Sequence, residues 1–231
     1  SRYKRVRFSP LPVIYFTPET KFGIGALAAL NFELGGTSDT VTKSSYLQSS
    51  AIVTQNKQFE FNNLGRIFFL DNKSILQLNL YFAYFPINYF GVQNPTPWKQ
   101  RELIEFNKIL IELRYLKKTK FNHLYVGPFF RLHKIYNINA ERGGFLNSEA
   151  PLGYSGYTAM GLGPIINYDS RDNLVNPIKG RFADFNFIYN PGGIYNSTEF
   201  ITFKADIRTY KKLSKTKHRV LGAQFVSQWG F

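Results

Sequence analysis

GLGPIINYDSRDNLVNPIKGRFADFNFIY, residues 161–189, is the stretch whose reading decides the fold. It reads as a strand, a tight polar turn built on Asp169, Arg171, Asp172, Asn173, Pro177 and Gly180, and a second strand. Beyond the turn, Ala183, Phe185, Phe187 and Tyr189 alternate with Phe182, Asp184, Asn186 and Ile188. That is the period of two expected of a strand with one apolar and one mostly polar face. A buried sandwich strand alternates in the same way, so the choice depends on whether the pattern recurs along the chain.

It does recur. Leu76, Leu78, Leu80, Phe82 and Tyr84 alternate with Gln77, Asn79, Tyr81 and Ala83 over about nine residues, the length at which a tilted strand spans a bilayer. Ile109, Ile111, Leu113 and Tyr115 oppose Leu110, Glu112 and Arg114, and Leu124, Val126, Phe130 and Leu132 oppose Tyr125, Phe129, Arg131 and His133. Ile201, Phe203, Ala205 and Ile207 face away from Thr202, Lys204, Asp206 and Arg208. Three successive ionisable groups on one inward face are hard to place in a dry sandwich core, where unpaired charge is costly, and easy to place in a wet barrel lumen. Toward the N-terminus the basic stretch Ser1 to Ser9 is expected at an interface or in water, followed by strands over Pro12 to Thr17 and Phe22 to Phe32 and a polar loop over Gly35 to Thr42. Pro86 to Lys99 and Lys134 to Ser155 are expected as loops. The count is about eleven strands, most of them long for a soluble protein.

Composition agrees with a β protein. Aromatic residues make up 17% of the chain, with 15 Tyr and 23 Phe against a single Met. No linker divides the 231 residues, so one domain over 1–231 is expected. No apolar run reaches the ~18 residues of a membrane helix, which leaves strands as the means of crossing. The result is an all-β fold: a transmembrane antiparallel β-barrel with lipid outside and a polar lumen inside. Leu76, Leu78, Leu80, Phe82, Ile201, Phe203 and Ile207 are expected to face lipid, and Glu112, Arg114, Arg131, Asp184, Lys204, Asp206 and Arg208 to line the lumen.

The formal charge of +14 would ordinarily suggest nucleic acid, but the cations sit in turns (Lys117, Lys118, Lys120; Lys211, Lys212, Lys215, Lys217) and at the start of the chain (Arg2, Lys4, Arg5, Arg7). At the ends of apolar-faced strands they suit anionic lipid headgroups, and no nucleic-acid partner is expected. Enzyme chemistry finds no foothold. In Gly153-Tyr154-Ser155-Gly156-Tyr157 the second glycine of a nucleophile elbow is replaced by Tyr157. His123, His133 and His218 form no metal-binding pair, Gly161-Leu162-Gly163 lacks the rest of a dinucleotide loop, and with no cysteine there is no thiol site. No cofactor is expected.

Tyr168-Asp169-Ser170-Arg171-Asp172-Asn173, followed by Asn176-Pro177 and Lys179-Gly180, resembles the turn motif of the BamA/TamA family of outer-membrane assembly factors, in the bacterial surface-antigen superfamily. Leu11 to Thr20 with Phe22-Gly23-Ile24-Gly25 looks like the start of the barrel in that family, and Tyr89-Phe90-Gly91-Val92-Gln93-Asn94 is similar to one of its loops, with Gln93 in place of glycine. The resemblance implies a barrel of the sixteen-stranded assembly-factor type, of which about eleven strands are in this chain, with no POTRA domain. It implies a bacterial outer-membrane location, lipid contacts including lipopolysaccharide, and other outer-membrane proteins or lipoproteins as partners. It also places the Asp169 to Gly180 turn in the periplasm and the loops Pro86–Lys99 and Lys134–Ser155 outside the cell. The activity implied is insertion, assembly or translocation of polypeptides without enzymatic chemistry. A structural or anchoring barrel subunit, or an export barrel for an attached lipase-like domain, are the other roles open at this point.

Overall fold

The computed structural model describes residues 6–18, 20–34, 41–91, 101–141, 143–174, 176–193, 198–214 and 219–231. Eleven strands follow one another: β1 (Arg7–Thr17), β2 (Lys21–Phe32), β3 (Ser45–Thr54), β4 (Phe59–Phe68), β5 (Ser74–Tyr89), β6 (Glu102–Lys118), β7 (Leu124–Asn139), β8 (Tyr157–Asp169), β9 (Gly180–Asn190), β10 (Phe200–Lys212) and β11 (Val220–Gly230). They form one antiparallel sheet in strict sequence order, with β1 and β11 at its edges. The longest ladder joins β5 to β6, from Ser74 opposite Lys117 to Tyr89 opposite Glu102.

Three strands and one short helix depart from the sequence-based expectation. β1 begins at Arg7 rather than Pro12, because Arg7 to Leu11 find partners in Leu27 to Asn31 of β2; residues 1–5 lie outside the described residues. β5 runs on to Tyr89 through Pro86, and β7 runs on to Asn139, so both expected loops start later than the alternation suggests. Ladder bonds to β6 hold these extensions, with a register shift between Glu105 and Asn107, and the alternation is lost there because apolar and polar residues are mixed on both faces. The second of these loops also carries a short helix, α1 (Phe145–Glu149), which the sequence reading missed. Glu102, only 3% exposed, fastens it by accepting the backbone N–H groups of Glu141 (3.0 Å) and Leu146 (2.9 Å).

The sheet is strongly curled. Arg66 of β4 lies 3.8 Å from Asp169 at the end of β8, Arg114 of β6 lies 3.6 Å from Asp184 of β9, and Arg131 of β7 donates to Thr202 of β10 at 3.3 Å. In a flat sheet four strand spacings would separate β4 from β8 by about 19 Å. The face that carries these contacts is therefore concave. Glycine permits the curl where strands close up: a Cβ at Gly163 would run into the Phe187 carbonyl and come within 3.0 Å of the Ile188 Cα. Gly163→Val is expected to cost about 1–3 kcal/mol through overpacking, read as a lower urea midpoint. Gly230→Ala, where a Cβ meets nothing within 4 Å, should leave the midpoint in place.

The concave face is not polar throughout, contrary to expectation. Phe68, Ile75, Leu116, Phe129, Ile165 and Ile188 form a cluster in which every member is at most 1% exposed, with Tyr125 and Leu174 packed against it. One residue comes from each of β4 to β9, so the cluster exists only because curling brings six strands around a common centre. It lies toward the end of the sheet that holds the 169–180 turn.

Candidate functional site

The opening hairpin divides into two sets of residues. Asp172, Asn173 and Gly180 shape the turn: Asp172 Oδ1 accepts the N–H groups of Ile178 (3.0 Å) and Lys179 (3.2 Å), and Asn173 Oδ1 accepts that of Asn176 (3.0 Å). Although the little burial it has acts the other way, these backbone donors hold the Asp172 carboxyl below its usual range. Gly180 adopts φ +110°, and a Cβ there would run into the Ser170 carbonyl. Pro177 lies between the two groups of bonds, with φ fixed by its ring.

Asp169 and Arg171 instead turn onto the concave face. Arg171 grips Asp169 with two parallel bonds, Nε to Oδ1 and Nη2 to Oδ2, each 2.8 Å. This carboxylate raises the Arg171 guanidinium above its ordinary value. Both side chains are buried, at 8% and 4% exposed, and Arg66 approaches the same carboxylate from across the sheet. The Arg171 guanidinium also stacks on Phe182, 4.6 Å from the ring centre, and Arg208 stacks on the same ring at 5.3 Å. Phe182 thus links the turn to β10 through cation–π contacts.

Further along the same face the charges continue in pairs. Arg208 holds Asp206 by two bonds of 3.0 and 2.5 Å, and Gln224 of β11 donates to Asp206 at 3.0 Å. Asp184 accepts from Asn167 (2.8 Å) and Asn186 (3.2 Å) besides facing Arg114. Glu112 accepts from Asn79 at 3.2 Å and sits opposite Arg131 in the ladder. Lys204 shares the parity of Asp206 on β10. The structure places all seven residues expected in the lumen on this one face. A cavity of about 310 Å³ opens among Arg66, Arg114, Arg171, Arg208, Asp184 and Phe182. Arg66, Asn167 and Phe182 were not among the expected site residues. The parity of Arg66 opposite Phe61 and Ile67 was a usable signal; its partner four strands away was not.

On the convex face Leu76, Leu78, Leu80 and Phe82 lie between Ile67, Gly65, Asn63 and Phe61 of β4 and Tyr115, Leu113, Ile111 and Ile109 of β6. Ile201, Phe203 and Ile207 lie likewise between Tyr189, Phe187 and Ala183 on one side and Phe231, Trp229 and Phe225 on the other. Large apolar side chains stand open to the surroundings here, among them Leu162, Ile166, Phe187 and Phe225. A polar pair interrupts the band where the Ser49 hydroxyl donates to Asn63 Oδ1. Among the described residues no group of His, Cys, Asp and Glu is arranged to hold a metal ion. Gln93, Asn94, Lys215, Lys217 and His218 lie outside the described residues.

The Omp85 superfamily domain, compared as a family profile, matches residues 22–231. No curated protein matches the sequence. Among solved structures the chain is similar to the crystal structure of BamA from Haemophilus ducreyi lacking POTRA domains 1-3, with 12% sequence identity and a TM-score of 0.50. The match covers 98% of this chain and 41% of that one, so the chain spans well under half of the protein it resembles. At that identity the likeness is one of fold.

Proposed function

Because the chain belongs to the Omp85 superfamily, we propose that it is part of a bacterial outer-membrane β-barrel that inserts or translocates polypeptides without enzymatic chemistry, its residues 1–231 forming one barrel domain. The observation that carries this reading is the two-faced sheet: an apolar convex band long enough to cross a bilayer, backed by a concave face of paired charges. A continuous apolar outer surface on a sheet fits lipid as its solvent, since a soluble protein rarely leaves so large a patch uncovered. Glu112, Arg114, Arg131, Asp184, Lys204, Asp206 and Arg208 would then line the interior, and the 169–180 turn would face the periplasm. Outer-membrane lipid, including lipopolysaccharide, and other outer-membrane proteins or lipoproteins would be the partners.

The mechanism would use a weakly paired seam at which an incoming strand adds to a sheet edge. β1 supports this. Pro10 and Pro12 have no N–H to give to a ladder, which suits a strand at an edge and weakens pairing along that part of it. Vesicles carrying the protein should take up an unfolded outer-membrane barrel substrate into a protease-resistant form faster than empty vesicles; equal rates would remove the insertion reading. The membrane reading has its own test. Leu78→Arg puts a cation between Gly65 and Leu113 on the convex face and is expected to cost about 2–4 kcal/mol near the bilayer midplane. Unchanged urea stability in vesicles, or a protein soluble without detergent, would overturn it.

A further inference from the structure

We propose that the turn-side mouth of the concave face is a binding site for a phosphate-bearing anion, held by Arg66, Lys43 and Lys118. A second cavity of about 190 Å³ opens there, between the segment before β3, the β4–β5 turn and the β6–β7 turn. At ~30 Å³ per water it has the volume of about six waters, enough for one tetrahedral oxyanion with part of its hydration.

The charges in this cavity do not balance. Five cations, Lys43, Arg66, Lys73, Lys118 and Arg171, stand in or beside it against two carboxylates, Asp71 and Asp169. Both carboxylates are already engaged, Asp71 by Lys73 at 2.9 Å and Asp169 by the two-pronged grip of Arg171. Arg66 keeps only a 3.8 Å approach to Asp169; its side chain is 11% exposed, and its Nε is buried with no hydrogen-bond partner. Lys43 and Arg66 also crowd a single ring, at 5.9 and 5.1 Å from the centre of Phe68. Burial and the nearby Arg66 and Arg171 guanidiniums depress the Lys43 ammonium, only partly offset by Asp169. Two like charges held together in a half-closed cavity repel unless an anion joins them.

Two of the neutral groups around them, Asn72 and Tyr125, are already used, while Asn122 and His123 also line the cavity. Asn72 donates to the Val41 carbonyl and accepts the Lys43 N–H, both at 2.8 Å, and the Tyr125 hydroxyl donates to the Asn72 carbonyl at 3.1 Å. The charged groups left to act on a ligand are therefore all cationic donors, Lys43, Arg66 and Lys118, on three separate segments. A tetrahedral oxyanion accepts from several directions and carries more than one charge, so it fits this convergence better than a planar carboxylate does. A lipid headgroup and free phosphate share that chemistry. The site rests on the folded sheet and not on polypeptide insertion, so its failure would leave the insertion reading standing.

The test uses the full chain in a phosphate-free maltoside detergent, with inorganic phosphate as the probe followed by ³¹P NMR. Saturable binding is expected, weakened about tenfold or more in Lys43→Gln/Lys118→Gln, which loses two charge-assisted contacts. The charge-matched Lys21→Gln/Lys57→Gln, in the turns at the opposite end of the sheet, should bind as the parent does. The lysine pair carries the test because Arg66→Gln also strips Asp169 of a partner and can unfold the protein. Micelles doped with short-chain phosphatidylglycerol distinguish the two sources: competition with the probe assigns the site to a lipid headgroup, and saturable phosphate binding without competition assigns it to a soluble phosphate. Absence of saturable binding in both arms, equal weakening in the two lysine variants, or acetate competing as well as phosphate would each overturn the proposal.

Discussion

Asp169→Asn is expected to destabilise the protein by about 3–5 kcal/mol, one of the two largest effects of any single substitution considered for this sheet. The change keeps the shape of the side chain and removes its charge. Arg171 and Arg66, 8% and 11% exposed, are then left facing each other around a neutral amide, with little water to screen them. Removing one partner from a buried ion pair costs more than the pair was worth, because the remaining charge stays desolvated. If that is the cause, Arg66→Met added to Asp169→Asn should recover part of the loss, since it removes one of the stranded cations. Asp172→Asn supplies the contrast three residues on: its carboxylate is exposed and accepts only backbone N–H groups of the turn. Urea midpoints in lipid vesicles should rank the parent first, Asp172→Asn next, the double variant below it and Asp169→Asn last. Asp169→Asn ranking level with Asp172→Asn would mean that the whole 169–180 motif does no more than close a hairpin.

That division within one motif marks the limit of what was legible in the sequence. Alternation is a local property, so the strands, their faces and the parity of Glu112, Arg114 and Asp206 can be read from residues two apart. Asp172 and Gly180 can also be read, because turn chemistry acts over a few residues. The partner of Asp169 across the sheet, Arg66, is 103 positions away and reaches it only through curvature. Curvature depends on close approaches such as that at Gly163, which the sequence shows only as a glycine in a strand. The same gap explains the concave cluster. Phe129 lies on the inner face together with Arg131 and His133, and counting ionisable groups on that face suggests a wet interior; nothing local reveals that five other strands each deliver one apolar side chain to the same place. The ends of β5 and β7 are hidden for a different reason: over Pro86–Tyr89 and Lys134–Asn139 apolar and polar residues occur on both faces, so the period of two fades and the ladder bonds to β6 mark the strand.

Phe129→Ala tests that packed interior and is expected to cost about 3–5 kcal/mol. The ring is 1% exposed, packs with Leu116, Ile165 and Ile188, and carries the Arg114 guanidinium 4.3 Å above its centre. Truncation removes the transfer energy of the ring, opens a void that six strands cannot all move to fill, and takes a cation–π partner from Arg114, which also faces Asp184. The adjacent residue is the natural control. Phe130 lies on the opposite face, paired with Leu113 and Leu162 in the ladders, where lipid chains can flow into the space its ring vacates. Because lipid tails are as apolar as the lost side chain, Phe130→Ala should cost markedly less than Phe129→Ala in vesicles. Phe129→Leu, which keeps most of the volume, should cost under about 1.5 kcal/mol. Urea unfolding of the three variants in vesicles, followed by tryptophan fluorescence, separates two interiors: a water-filled concave face tolerates Phe129→Ala, and a packed one makes it the worst of the three.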